Sequence, residues 1–212
     1  MPESPKTAKT DLRTHLRSAR RRMPAEVRAA ADTTLIAALI DLVLAMSARA
    51  IASYFPLPSE PGGNRLVGEL ARVTPRLLLP VVLDDLDLDW AEHDGRLRPG
   101  RFGVSEPVGP RLGVAAIAEV DLVVAPALAV DRAGVRLGQG GGSFDRALVR
   151  TAAPVLVPLF PGELLDEVPA EPHDRRVTAA LIGYESPHLY WTKAAPMPHH
   201  WHSKYRSAND GG

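Results

Sequence analysis

The chain has 212 residues, with 25 lysines and arginines, 25 aspartates and glutamates, and no cysteine. Its formal net charge of zero excludes a long-range attraction to nucleic acid or to acidic membranes. The lack of cysteine excludes disulfides, thiolate metal sites and a cysteine nucleophile. The N-terminal segment is polar, and no apolar run approaches the roughly 18 residues of a membrane span, so a cytoplasmic protein is expected.

Two helices are predicted at the start of the chain. The first has an apolar face whose members recur at helical spacing: Leu12, Leu16, Ala19 and Met23. A cationic stripe runs beside that face at nearly the same period: Lys9, Arg13, Arg17 and Arg20. Pro24 suits the first turn of a second helix, which the alanine-rich stretch continues to about Met46.

Short apolar runs bounded by Pro, Gly, Asp or Ser then predict buried strands. They cover residues 49–55, 77–83, 121–130, 154–160 and, more weakly, 177–182. Residues 86–91 alternate between polar and apolar side chains, which predicts a half-exposed strand. Pro80 and Pro126 lack a ladder donor, so each is expected at a strand end, an edge or a bulge.

Strands that alternate with helical segments predict an α/β fold with three layers. A mostly parallel, Rossmann-like sheet flanked by helices is expected within a single domain, residues 1–182, because several strands are continuously apolar. Residues 183–212 lack any period and are expected to form a poorly ordered C-terminal tail. The tail holds His199, His200 and His202, but no carboxylate or cysteine pattern that would favour a metal site.

The most informative segment reads Arg136-Leu-Gly-Gln-Gly-Gly-Gly-Ser-Phe-Asp145, between a predicted strand and a predicted helix. Glycines let the backbone approach a ligand closely, and a helix N-terminus presents unpaired N–H groups, which together favour phosphate binding. The segment lacks the lysine of a P-loop and the third glycine or alanine of a dinucleotide fingerprint. Spacing alone leaves open an ordinary tight turn in which Ser143 caps the helix.

The run from Arg136 to Arg146 resembles the hallmark of the 5-formyltetrahydrofolate cyclo-ligase family. Four other segments resemble motifs of that family in the same order: Lys9-Thr-Asp-Leu12-Arg13, Leu57-Pro58-Ser59-Glu60, Gly100-Arg-Phe-Gly103-Val-Ser-Glu106-Pro107 and Val168-Pro-Ala-Glu171-Pro-His-Asp174. The resemblance covers roughly residues 9–182, and five collinear motifs are far more specific than one glycine loop.

The resemblance implies an enzyme that uses ATP and Mg²⁺ to cyclise 5-formyltetrahydrofolate to 5,10-methenyltetrahydrofolate. Transfer of the γ-phosphoryl group to the formyl oxygen would activate a resonance-stabilised amide. Such chemistry needs positioning and charge neutralisation, so no protein nucleophile is expected. The implied partners are small molecules, a reduced folate and ATP, and a monomer is expected.

The resemblance also implies roles for particular residues. Arg13 and Asp145 are the expected catalytic residues. The expected ATP-binding residues are Lys9, Arg13, Arg136, Leu137, Gly138, Gln139, Gly140, Gly141, Gly142, Ser143 and Phe144. The expected folate-binding residues are Phe55, Glu60, Gln139, Gly140, Gly141, Gly142 and Ser143. Asp145 and Asp174 are the expected Mg²⁺ ligands.

Each of these roles has a structural alternative. The cations are equally typical of a solvated helix flank, the acids of a helix end or a loop, and Phe55 of a core aromatic. Arg17, Arg20, Arg21 and Arg22 match no family motif and are expected to be solvated.

The chain also departs from the family at particular positions. Ser143 and Phe144 stand where the family usually has tyrosines, and residues 177–183 replace its usual Val-Asp-x-Val-x-Thr-Pro. Two alternatives therefore stay open, a weakened paralogue that only binds nucleotide or reduced folate, and a nucleic-acid binder that uses the basic arm. The absence of interleaved aromatic residues disfavours the second.

Overall fold

A computed structural model describes residues 5–171, 174–184 and 186–194. Its α-helices are α1 (Pro5–Arg22), α2 (Ala25–Met46), α3 (Leu66–Val73) and α4 (Ser143–Leu148). The strands of its first half are β1 (Ala50–Ser53), β2 (Arg76–Val82), β3 (Leu88–Glu92), β4 (Leu97–Pro99) and β5 (Ser105–Pro107). The strands of its second half are β6 (Leu122–Val124), β7 (Ala129–Asp131), β8 (Arg136–Leu137), β9 (Val155–Leu159), β10 (Leu164–Leu165), β11 (Ala179–Ile182) and β12 (His188–Trp191).

The main sheet has seven strands in the order β12-β11-β9-β6-β1-β2-β3. Its five inner strands run parallel, and the edge strands β3 and β12 are antiparallel to their neighbours. Helices α2 and α3 cover one face, while α4 and the 3₁₀ turn Val114–Glu119 cover the other. The predicted three-layer α/β fold with a mostly parallel sheet is therefore confirmed.

The continuous apolar runs follow from burial on both faces of the sheet. In β2, Leu77 and Leu79 join the core beneath α2, whereas Leu78 joins the core on the opposite face. In β6, Leu122 and Val124 take the first side and Val123 the second. Because successive strand side chains point to opposite faces, a sheet covered on both faces needs apolar residues at every position.

Helix α2 is apolar enough and long enough to cross a membrane, judged by length and composition, and within the described residues it is alone in this. Its apolar side chains nevertheless have a protein partner. Leu35, Leu39, Leu42 and Val43 are at most 2% exposed and belong to one core with the strands. This packing is typical of the core helix of an α/β domain.

Helix α1 packs outside the main sheet, against a small sheet ordered β10-β7-β8. Leu16 lies in a separate apolar cluster with Leu128, Val135 and Leu137. Leu12 and Leu16 of the predicted apolar face thus pack on the strands that lead into the glycine-rich segment, whereas Ala19 is exposed. This contact decides where the cationic stripe of α1 lies.

Arg20 was expected to be solvated, and that expectation is wrong. Its side chain is 2% exposed and donates from Nε and Nη2 to the two oxygens of Glu163, at 2.7 and 2.8 Å. Nη2 also donates to the Ala127 carbonyl at 2.6 Å. Burial raises the pKa of Glu163 although Arg20 opposes that change, so desolvation dominates at this carboxyl. The pair ties α1 to the small sheet.

Two predicted strands differ from the structure. The strand predicted to be half-exposed appears as β3, whose residues Leu88–Ala91 are all buried because residues 111–119 cover its edge. The run 121–130 divides at Pro126 into β6 and β7, which belong to different sheets. The alternating polarity of residues 86–91 did not reveal that a loop and a 3₁₀ turn cover the edge of β3. At Pro126, the proline ended the strand as expected.

Pro80 does not lie at a strand end but within β2, between β1 and β3. The parallel ladder with β1 ends at the pair Ala52–Leu78, so Pro80 lies beyond its last partner. On the other side it faces Trp90, whose amide donates to Asp89 and whose carbonyl accepts from Leu112. The Trp90 carbonyl, opposite Pro80, thus has a donor outside the ladder.

The domain boundary drawn at residue 182 also differs from the structure. Residues 188–191 form β12, which pairs with β11, and Leu189, Tyr190 and Trp191 are buried. The sheet therefore extends past the predicted boundary because this segment alternates its apolar side chains between the two cores. Residues 195–212, including His199, His200 and His202, lie outside the described residues.

The buried Arg20–Glu163 pair yields a test of stability. We expect Glu163→Ala to lower the free energy of unfolding by about 3 kcal/mol, because it leaves a buried guanidinium without its counter-ion. The matched control is Asp166→Ala, since the Asp166 side chain is 94% exposed in its pair with Arg132. Chemical denaturation measures both variants, and equal stability of the two would contradict a structural role for the buried pair.

Candidate active site

The glycine-rich segment forms a loop between β8 and α4, as the sequence predicts. Gly140 and Gly142 have φ angles of +109° and +69°, which side-chain-bearing residues rarely adopt. A Cβ added at Gly138 would lie 2.7 Å from a nitrogen of Arg136. Gly142 takes the N-cap position of α4, and Ser143 is the first helical residue, with no side-chain cap. The glycines thus allow the backbone conformation of the loop and the close approach of neighbouring side chains such as Arg136. The helix cap considered for Ser143 is absent.

The cationic stripe of α1 lies directly against this loop. Arg13 Nε donates to the Gly138 carbonyl at 3.0 Å, and Arg17 Nη2 donates to the Gln139 carbonyl at 2.7 Å. Side chains one helical turn apart therefore hold successive carbonyls of the loop. The expected proximity of Lys9 and Arg13 to the glycine loop is found in the structure.

A polar cavity of about 110 Å³ lies between α1, the loop and the residues Glu171 and Asp174. Its lining contains most of the predicted phosphate-binding groups together with three carboxylates. The lining residues are Lys9, Arg13, Arg136, Leu137, Gly138, Gly140, Gly142, Asp145, Glu171 and Asp174.

Lys9 pairs with two carboxylates at one side of this cavity. Its Nζ lies 2.7 Å from Glu171 Oε2 and 2.7 Å from Asp174 Oδ2, and its side chain is 6% exposed. Burial alone lowers the pKa of Lys9, but the hydrogen bonds to Asp174 and Glu171 outweigh that effect and raise it. The ammonium is therefore charged at neutral pH.

Arg136 and Asp145 form a second ion pair in the lining of this cavity. Arg136 Nη2 donates to Asp145 Oδ1 at 2.6 Å, and Nη1 donates to the Pro126 carbonyl at 3.1 Å. Arg136 is 5% exposed, and its Nε is buried without a hydrogen-bond partner among the described residues. Asp145 and Asp174 both line the cavity, and each carboxylate is balanced by a cation.

The two aspartates fit a hard cation only in part. Mg²⁺ binds through one or two carboxylates, completed by waters and substrate phosphates, and does not need an all-protein cage. Among the described residues, no group of three or more His, Asp or Glu is arranged as a metal site. Asp145 and Asp174 could therefore supply at most part of the ligands of such an ion, with waters or substrate oxygens as the others.

A second, larger and mostly apolar cavity of about 420 Å³ adjoins the first. It lies at the carboxyl ends of β1 and β2, where ligands of open parallel sheets bind. The lining residues are Tyr54, Phe55, Leu57, Glu60, Pro80, Val82, Leu86, Leu88, Phe102, Val104, Pro126, Arg136, Gly138, Gln139, Gly141, Gly142, Ser143, Phe144 and Asp145. The two cavities share a wall made of Arg136, Gly138, Gly142 and Asp145.

Glu60 supplies a buried carboxyl group to the larger cavity. It is 5% exposed and accepts from the Leu57 amide at 3.0 Å and from Gln139 Nε2 at 3.1 Å. Phe55 and Phe144 contribute apolar walls, and the Phe144 ring meets Trp90 edge-on at 6.3 Å. A flat heterocycle with N–H donors would find both apolar faces and an acceptor here.

The structure brings every predicted site residue to one of the two cavities, and it adds some that sequence reasoning missed. Glu171 pairs with Lys9, Arg17 contacts the loop, and Tyr54 and Phe102 line the larger cavity. Glu171 and Phe102 stood within motifs already quoted, and Arg17 follows Arg13 by one turn. The neighbours of Asp174 at positions 172 and 173 lie outside the described residues.

Comparison with known proteins places this geometry in a family. A model of the 5-formyltetrahydrofolate cyclo-ligase family matches residues 5–183. The chain is 41% identical over 182 residues to a 5-formyltetrahydrofolate cyclo-ligase of Mycolicibacterium smegmatis, covering 82% of this chain and 93% of that protein. It is 25% identical over 184 residues to the Haemophilus influenzae protein of that name, covering 81% and 96%.

Solved structures agree at the level of the fold. The 5,10-methenyltetrahydrofolate synthetase of Aquifex aeolicus superposes with a TM-score of 0.76 at 24% identity, covering 93% of this chain and 99% of that one. The synthetase of Mycoplasma pneumoniae gives a TM-score of 0.66 at 18% identity, covering 84% and 98%. The family match spans both cavities and the loop between them. The chain belongs to the 5-formyltetrahydrofolate cyclo-ligase family.

Proposed function

We propose that this protein is an ATP-dependent 5-formyltetrahydrofolate cyclo-ligase. Apart from family membership, one structural observation supports the proposal. A cation-lined polar cavity and an apolar cavity with a buried carboxylate share the glycine loop as their common wall. A triphosphate in the first and a pterin in the second would meet at that wall, as transfer between them requires.

The proposed reaction closes a five-membered ring. The γ-phosphoryl group of ATP moves to the oxygen of the N5-formyl group, and ADP leaves. The N10 nitrogen attacks the activated carbon and loses its proton, and the oxygen departs as inorganic phosphate. The product is 5,10-methenyltetrahydrofolate. No step forms a bond to the protein, so the residues bind, orient and neutralise charge.

The triphosphate is assigned to the polar cavity. Lys9, Arg13 and Arg136 supply charge, and residues 137–144 supply main-chain groups. Lys9 and Arg136 already hold carboxylates, so phosphate oxygens would replace or join existing partners of these side chains. Before the nucleotide binds, these carboxylates lower the free-energy cost of burying the two cations.

The folate is assigned to the apolar cavity. The Glu60 carboxylate would accept hydrogen bonds from the pterin N–H groups, and Phe55 would pack on its ring. Gln139 to Ser143 form the side nearest the phosphates. Phe144 replaces a tyrosine of the family, so its ring supplies packing without a hydroxyl contact.

Asp145 and Asp174 are assigned to Mg²⁺, which would neutralise the charge that develops on the transferring phosphoryl group. Both line the polar cavity, Asp145 paired with Arg136 and Asp174 paired with Lys9. Arg13 and Asp145 are the catalytic residues proposed to act on the triphosphate and its metal. We further assign the enzyme to the cytoplasm as a monomer that binds only its small-molecule substrates.

The binding-only paralogue has less support than the enzyme. It was suggested by residues 177–183, which depart from the family pattern. In the structure, Ala179–Ile182 pairs with β9 and β12 as a regular buried strand. No described feature of that segment favours loss of turnover.

Replacement of Asp145 tests the metal and catalytic assignment. We expect Asp145→Asn to lower the rate of methenyl product formation by about 100-fold or more, because a charge at the phosphoryl-transfer site is lost. Asparagine still offers Arg136 an oxygen, so the fold should persist. The assay follows near-ultraviolet product absorbance with and without Mg-ATP, with Asp166→Asn as the exposed control. Full activity of Asp145→Asn would remove Asp145 from the metal site.

Two neighbouring glycines provide a matched test of the loop. Gly140 has a φ of +109°, whereas Gly141 has no positive φ and a Cβ there would meet only Ser143 Oγ, at 3.6 Å. Alanine at position 140 would cost about 1–3 kcal/mol of backbone strain or distort the loop. We expect Gly140→Ala to weaken Mg-ATP binding about tenfold or more in calorimetry. Gly141→Ala should bind normally, and equal binding by both variants would contradict a role for this backbone shape.

A further inference from the structure

Arg17 makes two contacts with the same residue of the glycine loop. Its Nε donates to Gln139 Oε1 at 3.0 Å, and its Nη2 donates to the Gln139 carbonyl at 2.7 Å. On the far side, Gln139 Nε2 donates to Glu60 Oε1 at 3.1 Å. A continuous chain of hydrogen bonds therefore runs from α1 through Gln139 to the buried carboxylate of the apolar cavity.

The chemistry of the partners determines the orientation of the Gln139 amide. A guanidinium can only donate, so it must face the amide oxygen, and a carboxylate can only accept, so it must face the amide nitrogen. Each partner by itself favours the same orientation of the amide. Arg17 and Glu60 together select one orientation, and the contact of Arg17 with the Gln139 carbonyl fixes the backbone of the same residue.

We propose that Arg17 is a positioning residue that orients Gln139 and, through its amide, the Glu60 carboxylate for the folate. The contact with the pterin rests on the proposed function, whereas the chain Arg17–Gln139–Glu60 rests on geometry alone. The chain links the helix that bears Lys9 and Arg13 to the floor of the folate cavity. Arg17 thus connects the nucleotide side of the loop to its folate side.

The geometry favours this role over direct phosphate binding. Lys9 and Arg13 line the polar cavity, but Arg17 is not among its described lining residues. The Arg17 side chain instead extends across the outer edge of the loop, where Gln139 is exposed. Lysine has no planar fork to satisfy both oxygens of Gln139 in fixed geometry, so the guanidinium itself is required.

Steady-state kinetics separate the two roles. We expect Arg17→Ala to raise KM for 5-formyltetrahydrofolate about five- to tenfold, as for the loss of one positioning hydrogen bond, with KM for ATP changed less than about twofold. Arg17→Lys should recover only part of the loss, although it restores the charge. The matched control is Arg21→Ala, which removes an exposed arginine from the same helix and should behave as the parent.

A double variant tests whether Arg17 acts through Gln139. Arg17→Ala should raise KM for the folate less in a Gln139→Leu background than in the parent, because Gln139→Leu already removes the side-chain contacts and leaves only the contact of Arg17 with the main-chain carbonyl of residue 139. Additive effects, or a rise in KM confined to ATP, would show that Arg17 contacts phosphate directly and would overturn the proposal.

A spectroscopic test does not depend on turnover. Gln139 is the only glutamine in the sequence, so selective ¹⁵N-glutamine labelling yields a single side-chain NH₂ pair in a two-dimensional spectrum. We expect Arg17→Ala and Glu60→Ala each to shift this pair, and Arg21→Ala to leave it in place. An unshifted pair in Arg17→Ala overturns the positioning role. Failure of the parent to form methenyl product would refute the proposed function, while the spectrum still decides the contact.

Discussion

The site depends on one interaction, the hydrogen bonds that arginines in the cationic stripe of α1 donate to carbonyl groups of the glycine loop. Carbonyl groups of a loop lie outside helix and strand ladders, so they need other donors where they are shielded from water. Arg13 and Arg17 supply those donors to Gly138 and Gln139. The same contact places Lys9 beside the polar cavity and forms the wall between the two cavities.

The charges around this contact lie beside opposite charges, and this attraction offsets the free-energy cost of removing them from water. Arg20 with Glu163, Arg136 with Asp145, and Lys9 with Glu171 and Asp174 each combine opposite charges at 2.6 to 2.7 Å. The pair of Arg20 and Glu163 is purely structural, since neither residue lines a cavity described above. The other two line the polar cavity, where a triphosphate and its Mg²⁺ ion would rearrange them. Stability and ligand binding are therefore coupled through the same kind of interaction.

Prediction from sequence worked best where a residue's local pattern had one physical outcome. Continuous apolar runs such as 154–160 became inner strands because only a sheet covered on both faces buries every side chain. It failed where a distant segment changed the environment. The edge of β3 was covered by residues 111–119, Arg20 met Glu163 across 143 positions, and residues 188–191 joined the sheet as an antiparallel edge strand.

The sequence by itself determined the α/β fold, the glycine loop and the family, because period, glycine spacing and collinear motifs are local properties of the chain. Only the tertiary structure decided which charges are partners and where the site's two cavities meet. Lys9 and Asp174 lie 165 positions apart, and Arg17 and Gln139 lie 122 apart. No local pattern encodes such pairs, since they form only when α1 packs its apolar face on the small sheet beneath the loop.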